Sequence, residues 1–324
     1  MSASLRTYTI RRVLEAVPLI FGVIVVTFII VHLAPGDPVQ VLAGEGATQE
    51  YIEMMRERLG LNKPLYEQLA IYVATVLRAD LGYSFVHGQP VLQVVLERVP
   101  ATLLLMSTAL AVSSTLGVSL GVISSKNPYS VKDNVTTSVS LLGYSLPVFW
   151  LAQILIMLFG VRLGWFPIQG IMSVREELTG FPHVLDVVHH LVLPVIALGV
   201  FNLALVTRMT RASMLEVLKE DFVVTAWSKG LDENAVLYRH ALRNALLPVV
   251  TIIGLNLGHM LAGAVLTETV FGWPGMGRLM YDAISSRDYP VLVGNFIIVS
   301  IAVVTANLIT DLVYGFLDPR IRYR

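Results

Sequence analysis

Long apolar stretches recur along the chain and predict membrane-spanning helices. A helix that crosses a bilayer needs about 20 apolar residues. Six stretches meet this requirement, and the only acidic, basic or histidine side chains inside them are Glu15, His32 and His259. The pattern therefore predicts an all-α polytopic membrane protein with six transmembrane helices, at residues 13–34, 101–125, 135–161, 191–207, 244–267 and 289–310.

The longest connection between these spans is residues 35–100, which carries shorter helical patterns of its own. Turn residues begin it at Pro35-Gly36-Asp37-Pro38, and helical composition follows at Gln49–Leu59 and Pro64–Leu77. We expect a small, mostly helical cap segment between the first two spans. The other connections on the same side, residues 162–190 and 268–288, are shorter.

Lys and Arg are distributed unevenly between the two sides of the predicted membrane. Of the 23 Lys and Arg residues, 14 fall in four segments on one side, namely residues 1–12, 126–134, 208–243 and 315–324. The much longer opposite segments hold 9. Cytoplasmic loops carry the excess of positive charge, so both termini and the 208–243 loop are predicted to be cytoplasmic.

The segment Glu216–Pro248 has more internal order than a simple connector. Asp221–Lys229 can form a short helix with Phe222 and Ala226 on one face. Gly230 follows where a C-terminal capping glycine with positive φ is expected. Asp232 then suits the N-cap of a second helix. The pattern predicts a structured loop held against the membrane face.

Composition excludes several classes of function. Mean hydropathy is +0.70, with 55% hydrophobic and 14% charged residues, which is not the composition of a soluble protein. The net charge near zero gives no indication of a nucleic-acid partner. There is no G-x-x-x-x-G-K-[ST] sequence to bind a nucleotide phosphate, and no Cys for a disulfide or a thiolate metal site. If ATP drives this protein, another chain must bind it.

Sequence motifs along the whole chain resemble those of binding-protein-dependent ABC importer permeases. The segment Glu216–Pro248, hereafter the coupling segment, contains TAWSKGL at 225–231 and continues into HALRNALLPVVT at 240–251, similar to the run typical of the dipeptide, oligopeptide and nickel branch. The literal Glu-Ala-Ala of the EAA loop is absent, because Val224 and Thr225 precede Ala226. Further matching stretches are RRVLEAVPLIFGVIVVTFIIVHLAPGDP, LGLNKPLYEQ, DLGYS, LTETVFGWPGMGRLMYDAISSRDYP and DLVYGFLDPRIR. The chain most resembles the B-type dipeptide/oligopeptide permease subunits.

The resemblance implies a type I ABC importer permease fold and a set of partners. These are a homologous second permease, two cytoplasmic ATPase subunits, an external solute-binding protein and membrane lipid, in the cell membrane of a bacterium or archaeon. No cofactor is implied for this chain, because ATP and Mg²⁺ would bind the ATPases. The resemblance also implies that Ala226 enters a cleft on an ATPase. The residues expected to couple to the ATPases are Phe222, Thr225, Ala226, Lys229, Gly230 and Leu231.

Polar side chains inside the predicted spans admit two interpretations. Such groups are costly in lipid, so they either hydrogen-bond between helices or line a transport pathway. Both alternatives stay open for Asn202, Asn256, His259 and Asn307. Gly117 and Gly121 likewise permit close helix approach, either within the chain or at a seam with a second permease.

Two other functional classes deserve comparison. A proton-coupled secondary carrier could use His259 and Glu268 as a relay, although no internal repeat of the kind common in such carriers is evident. A membrane-embedded enzyme lacks support, since no catalytic residues are recognisable. Adjacent His189 and His190 would diverge on a helix, so no metal site is expected. The substrate stays open among peptides, nickel complexes, glutathione and oligosaccharides.

Overall fold

The computed structural model describes residues 14–15, 17–29, 48–58, 62–84, 86–173 and 178–317. Within these ranges the chain is mostly helical, with one two-stranded hairpin. The helices of the first part are α1 (Val17–Ile29), α2 (Gln49–Arg58), α3 (Leu65–Leu77), α4 (Val91–Lys126), α5 (Val131–Ser145) and α6 (Val148–Leu155). Those that follow are α7 (Phe181–Val217), α8 (Asp221–Ser228), α9 (Leu242–Leu255), α10 (Leu257–Val270), α11 (Met276–Ser285) and α12 (Tyr289–Leu317).

Three of the described helices are long and apolar enough to cross a membrane. They are α4, α7 and the Tyr289–Thr310 part of α12. The pair formed by α5 and α6, which continues as a π-helix over Ile156–Arg162, gives a fourth if it is counted as one span. The helical, membrane-spanning architecture is therefore confirmed, while the count of six spans stays a prediction.

The third predicted span, residues 135–161, is broken rather than continuous. Its two halves meet at an angle of 105° between Ser145 and Val148. Leu146 there is extended, and Pro147 precedes the first turn of α6. Proline disfavours helical geometry in the residue before it, which explains why the chain breaks at this position. A proline inside a predicted span indicates a kink from the sequence alone, and the break at Pro147 is larger than that.

The described residues divide into two compact units. The first comprises the described residues up to Pro100 together with Leu279–Thr305, and the second comprises the described residues of Ala101–Arg278 together with those that follow Thr305. In the first unit, Ile24, Val293 and Ile297 form a buried cluster against which the partly buried side chains of α3 pack. The second unit contains the coupling segment and most of the apolar core.

The cap segment has the two predicted helices and two features that the sequence did not indicate. Helices α2 and α3 lie within a residue of the predicted bounds. Between α3 and α4, strands β1 (Tyr83–Ser84) and β2 (Gln89–Pro90) form an antiparallel hairpin. Helix α4 then begins at Val91 rather than near residue 101. The early residues 35–47 of the cap lie outside the described part.

Close helix packing in the second unit depends on two glycines of α4. A Cβ at Gly117 would meet the Val206 side chain at 2.9 Å, and one at Gly121 would meet Thr210 at 2.5 Å. Both contacts are with α7 of the same chain, so the intrachain interpretation of this Gly-x-x-x-Gly pair is confirmed.

Candidate coupling site

Helix α8 lies at the centre of the coupling segment and buries a narrow face against its own chain. Val223 and Ala226, three residues apart, pack with Val236 in a small apolar core. The partly buried Val217 and Leu218, at the end of α7, complete this core. Helix α8 is therefore fixed both to the helix before it and to the π-helical segment Ala235–Ala241 after it.

The burial of Ala226 differs from the expectation that it enters a cleft on an ATPase. Its side chain is 5% exposed and faces inward, whereas Phe222, expected on the same face, is 42% exposed. Phe222 and Ala226 lie about one helical turn apart. Ala226 turns inward because it packs with Val236 and its neighbours in the core, which the periodicity along α8 does not reveal. Ala226 thus packs in the core behind α8, and its contact with an ATPase stays a prediction.

The C-terminus of α8 has the capping geometry that the sequence predicted. Gly230 has φ +72°, and its amide donates to the carbonyl of Trp227 at 2.9 Å. The amide of Leu231 donates to the carbonyl of Ala226 at 3.4 Å, which completes a Schellman motif. Lys229 is the exposed C-cap residue. Positive φ at Gly230 is thus confirmed.

Asp232 starts the following helix as an N-cap. Its carboxylate accepts a hydrogen bond from the amide of Asn234 at 3.1 Å, and its carbonyl accepts one from Val236 at 3.0 Å. The chain then continues through the π-helical turn Ala235–Ala241 into α9, which contains Pro248. Both ends of the short connection between helices are therefore capped.

The outer side of the coupling segment presents large apolar side chains to its surroundings. We name as the coupling face the four exposed residues Phe222, Val224, Trp227 and Leu231, which are 42%, 54%, 45% and 38% exposed. Thr225 is also exposed, and its hydroxyl donates to the carbonyl of Asp221. Sequence reasoning included Phe222, Thr225 and Leu231 but missed Val224 and Trp227. Val224 and Trp227 are three residues apart and therefore share a side of the helix that the predicted Phe222–Ala226 face does not include.

A second apolar core ties the coupling segment to the long helices. Leu237 and Ala241 of the π-helical turn pack with Val122 of α4 and Met214 of α7. Ala245 of α9 joins the same cluster. This core joins the coupling segment to α4, α7 and α9 through packed side chains.

Two ion pairs connect this region with the turn that joins α4 to α5. Arg211 donates hydrogen bonds from Nε and Nη2 to Asp133 at 2.5 and 2.7 Å, and Asp133 is buried. The hydroxyl of Ser124 and the amide of Tyr129 also donate to this carboxylate. The exposed Lys126 and Glu233 form a second pair at 3.1 Å.

The predicted pathway residues occupy different environments. Asn202 is fully buried and donates to Ser113 at 2.7 Å and to Ser114 at 3.3 Å, a contact between α7 and α4. Asn256 lies between α9 and α10, where it donates to the carbonyl of Ile252. Asn307 is exposed, and the side chain of His259 lies outside the described part. Their role in a pathway stays a prediction.

Glu268 lies at the outer end of the fifth predicted span, a position that predicts solvation at the membrane interface, but the structure encloses its side chain. It is 0% exposed and accepts a hydrogen bond from the hydroxyl of Thr102 at 2.7 Å. The amides of Gly277 and Arg278, at the start of α11, donate to its other oxygen at 2.7 and 3.1 Å. Trp273 lies nearby in the chain, is fully buried, and donates to the carbonyl of Ala101. These contacts give Glu268 the role of a structural anchor.

Among the residues that the structure describes, no group of three or more His, Asp or Glu side chains could hold a metal ion. His189 and His190 instead bind separate backbone carbonyls, those of Trp165 and Asp186.

Comparison with known proteins agrees with this architecture. Residues 117–323 match the family described as binding-protein-dependent transport system inner membrane component. Residues 5–106 match the N-terminal region of binding-protein-dependent transport system membrane components. The two matches together cover most of the chain.

Curated relatives are similar over almost their whole length. The di/tripeptide transport system permease protein DppB of Pseudomonas aeruginosa (strain UCBPP-PA14) is 44% identical, with 98% of this chain and 99% of that protein covered. The oligopeptide transport system permease protein AppB of Bacillus subtilis (strain 168) is 41% identical at the same coverage.

A solved structure shows the same fold. It is the MetNI methionine ABC transporter in inward-facing conformations, with a TM-score of 0.54 and 16% identity over 70% of this chain and 97% of that chain. The fold is that of an ABC importer membrane subunit and not of a secondary carrier. The chain belongs to the family of binding-protein-dependent transport system inner membrane components, as a permease subunit.

Proposed function

We propose that this chain is one of two permease subunits in an ATP-driven importer of dipeptides, oligopeptides or related small solutes. The relatives whose names specify di/tripeptide and oligopeptide transport align with almost the entire chain, which supports this substrate class. The chain forms the translocation route with a second, homologous permease. An external binding protein delivers the substrate to the side that carries residues 35–100, 162–190 and 268–288.

Two cytoplasmic ATPases drive the importer, and ATP with Mg²⁺ binds to them rather than to this chain. The termini and the 208–243 loop lie in the cytoplasm, as the excess of Lys and Arg predicts. The complex resides in the cell membrane of a bacterium or archaeon.

The observation that carries this proposal is the coupling face. Phe222, Val224 and Trp227 expose apolar side chains on a segment that also carries Asp221, Lys229 and Asp232, and so belongs in water. Large apolar side chains that stay exposed on a short helix in an aqueous region indicate a protein interaction site. An ATPase that binds here can displace α8.

Displacement of α8 changes the conformation of the permease through the packed residues behind it. Val223 and Ala226 transmit the motion to Val236, and the neighbouring cluster around Leu237 reaches Met214. The ATPases can shift the permease between inward- and outward-facing states only by as much as their binding free energy differs between these states.

Reconstitution of the purified complex tests this function. The chain should co-purify with a second permease and ATPase subunits, and dipeptide-loaded binding protein should stimulate both ATP hydrolysis and dipeptide uptake into proteoliposomes. Uptake by this chain alone, driven by a proton gradient without ATP, would instead indicate a secondary carrier.

A further inference from the structure

Helix α5 exposes two chemically different faces. Asp133 and Ser140 mark its buried side, which packs on the rest of the chain. One exposed face is mostly apolar and consists of Val131, Val135, Val139 and Leu142, with the exposed Lys132 at its edge in the first turn. The other exposed face, hereafter the polar face, consists of Asn134, Thr137, Ser138, Leu141, Tyr144 and Ser145.

The two faces suit different surroundings. The apolar face of valines and leucine fits the hydrocarbon of a bilayer. Polar side chains in membrane spans usually face the interior of a protein or a water-filled cavity, because they are costly in lipid. The hydroxyl groups alone do not show that this face meets water, because a hydroxyl can be satisfied within its own helix, as Ser145 is by donating to the carbonyl of Leu141. A charged neighbour of this face provides the independent evidence.

That neighbour is Arg208 of α7. Its guanidinium carbon lies 5.7 Å from the centre of the Tyr144 ring, and the Tyr144 ring stacks on Phe201 at 4.8 Å. Arg208 is exposed, and within the described part of the chain its guanidinium contacts this aromatic ring and pairs with no carboxylate. The planar guanidinium of Arg208 thus lies over the ring of Tyr144, at the polar face.

The direction of Arg208 argues against a lipid environment. Phe201 lies seven residues before Arg208, or about two helical turns towards the middle of α7. The guanidinium therefore extends towards the apolar part of the span and away from the charged end that carries Arg211. Arginine at a lipid-facing helix end extends its head group towards the water interface instead. The Arg208 guanidinium therefore needs water or a polar partner where it extends towards the middle of α7.

We propose that the polar face of α5, with Arg208 and Tyr144, lines the translocation route and binds the carboxylate of a passing substrate. The guanidinium fork matches a carboxylate in geometry and charge, and free peptides carry a terminal carboxylate. Tyr144 contacts the guanidinium from one side and leaves the N–H donors of Arg208 free. Because the site is exposed, binding stays weak enough for release, as a transport route requires.

This inference rests on the proposed function, and the anion could have another source. A lipid phosphate would offer the same chemistry to Arg208. A second permease could also cover the polar face. The two experiments below separate these possibilities.

The first experiment measures whether the polar face is in contact with water. The natural chain has no Cys, so Ser138→Cys and Val139→Cys each introduce a single thiol at adjacent, exposed positions. The assembled complex in proteoliposomes is treated with the water-soluble anion 2-sulfonatoethyl methanethiosulfonate. Position 138 should react about tenfold faster than position 139, because a charged reagent is excluded from lipid. Equal, slow reaction at both positions would overturn the inference, since lipid or protein would then cover the polar face.

The second experiment measures labelled dialanine taken up per ATP hydrolysed. Loss of a charge-assisted contact in Arg208→Gln should lower this ratio about tenfold, and Arg208→Lys should restore a substantial part of it. Lys132→Gln is the matched control, because Lys132 is an exposed cation of α5 outside the polar face. Failure of the wild-type complex to transport dialanine would count against the proposed function. Two results would overturn only the carboxylate site. One is normal transport by Arg208→Gln. The other is a transport defect of this variant that varies with the anionic lipid content and not with the dialanine concentration.

Discussion

Arg211 donates two parallel hydrogen bonds to Asp133 and thereby joins the end of α7 to the first turn of α5. The pair is partly shielded, since the Asp133 side chain is 2% exposed and that of Arg211 24%. Removing one partner of a shielded pair leaves an uncompensated charge. This contact fastens the broken span α5–α6 to the helix that leads into the coupling segment.

We therefore expect Arg211→Met to lower the free energy of unfolding by about 2 kcal/mol, because the Asp133 carboxylate would stay buried without its cation. Thermal unfolding of the detergent-solubilised complex measures the change. The matched control is Lys126→Met, which removes the exposed pair with Glu233 and should cost less than about 1 kcal/mol. Equal effects of the two variants would contradict the structural role assigned to Arg211.

Gly230 should tolerate no β-branched residue. Its φ is +72°, and a Cβ would meet no atom within 4 Å, so the cost of Gly230→Val arises from backbone strain alone, about 1–2 kcal/mol. Asn accepts this conformation more readily, and Gly230→Asn is the control. We expect Gly230→Val to reduce dipeptide uptake per ATP hydrolysed while permease pairing persists. Equal uptake by both variants would show that the turn geometry has no part in coupling.

Trp227 and Ala226 should respond differently to substitution although they are adjacent. Trp227→Glu places a charge on the coupling face and should abolish co-purification of the ATPase subunits with little change in the melting temperature. Ala226→Trp overfills the core around Val223 and should destabilise the chain by about 1–3 kcal/mol. If Ala226→Trp retained wild-type stability and lost only the ATPases, Ala226 would face the ATPase after all.

Glu268 should be required for folding of the region around α11. Glu268→Leu removes the acceptor for Thr102 and for the amides of Gly277 and Arg278, and it should cost about 2–3 kcal/mol because those donors stay buried. Glu268→Gln keeps one acceptor oxygen and should retain part of the stability. A proton relay at this residue would instead make transport by Glu268→Gln independent of pH at unchanged stability, which would contradict the anchor role.

Membrane sidedness can be tested with single cysteines. Met172 and Asp232 are both exposed, and the predicted topology places them on opposite sides. An impermeant maleimide added to intact cells should label Met172→Cys and spare Asp232→Cys until the cells are permeabilised. Labelling of position 232 in intact cells would reverse the assigned orientation.

Local features of the coupling segment could be predicted from the sequence, whereas the direction of its side chains could not. The helix at Asp221, the positive φ of Gly230 and the N-cap at Asp232 all depend on neighbouring residues, so the sequence indicates them directly. The inward direction of Ala226 depends on Val236 in another element. Periodicity shows that a helix has two sides but not which side meets the rest of the chain.

Similar limits apply to Glu268 and to the third span. A single carboxylate near a helix end resembles an interfacial residue, and only the return of the chain through Gly277 brings backbone donors to it. At Pro147 the sequence indicates a disturbance of the helix, but the size of the bend depends on how α5 and α6 pack separately against α7.

The capped junction between Ser228 and Glu233 has a mechanical consequence. Gly230 and Leu231 are fixed by the Schellman hydrogen bonds, and Asp232 is fixed by its N-cap contact, so the junction has little elastic compliance. A displacement applied to α8 would reach Glu233 with little loss. Lengthening the junction by a few flexible residues should leave the permease folded and the ATPases bound. The energy of ATP hydrolysis would then be dissipated as heat without movement of the substrate.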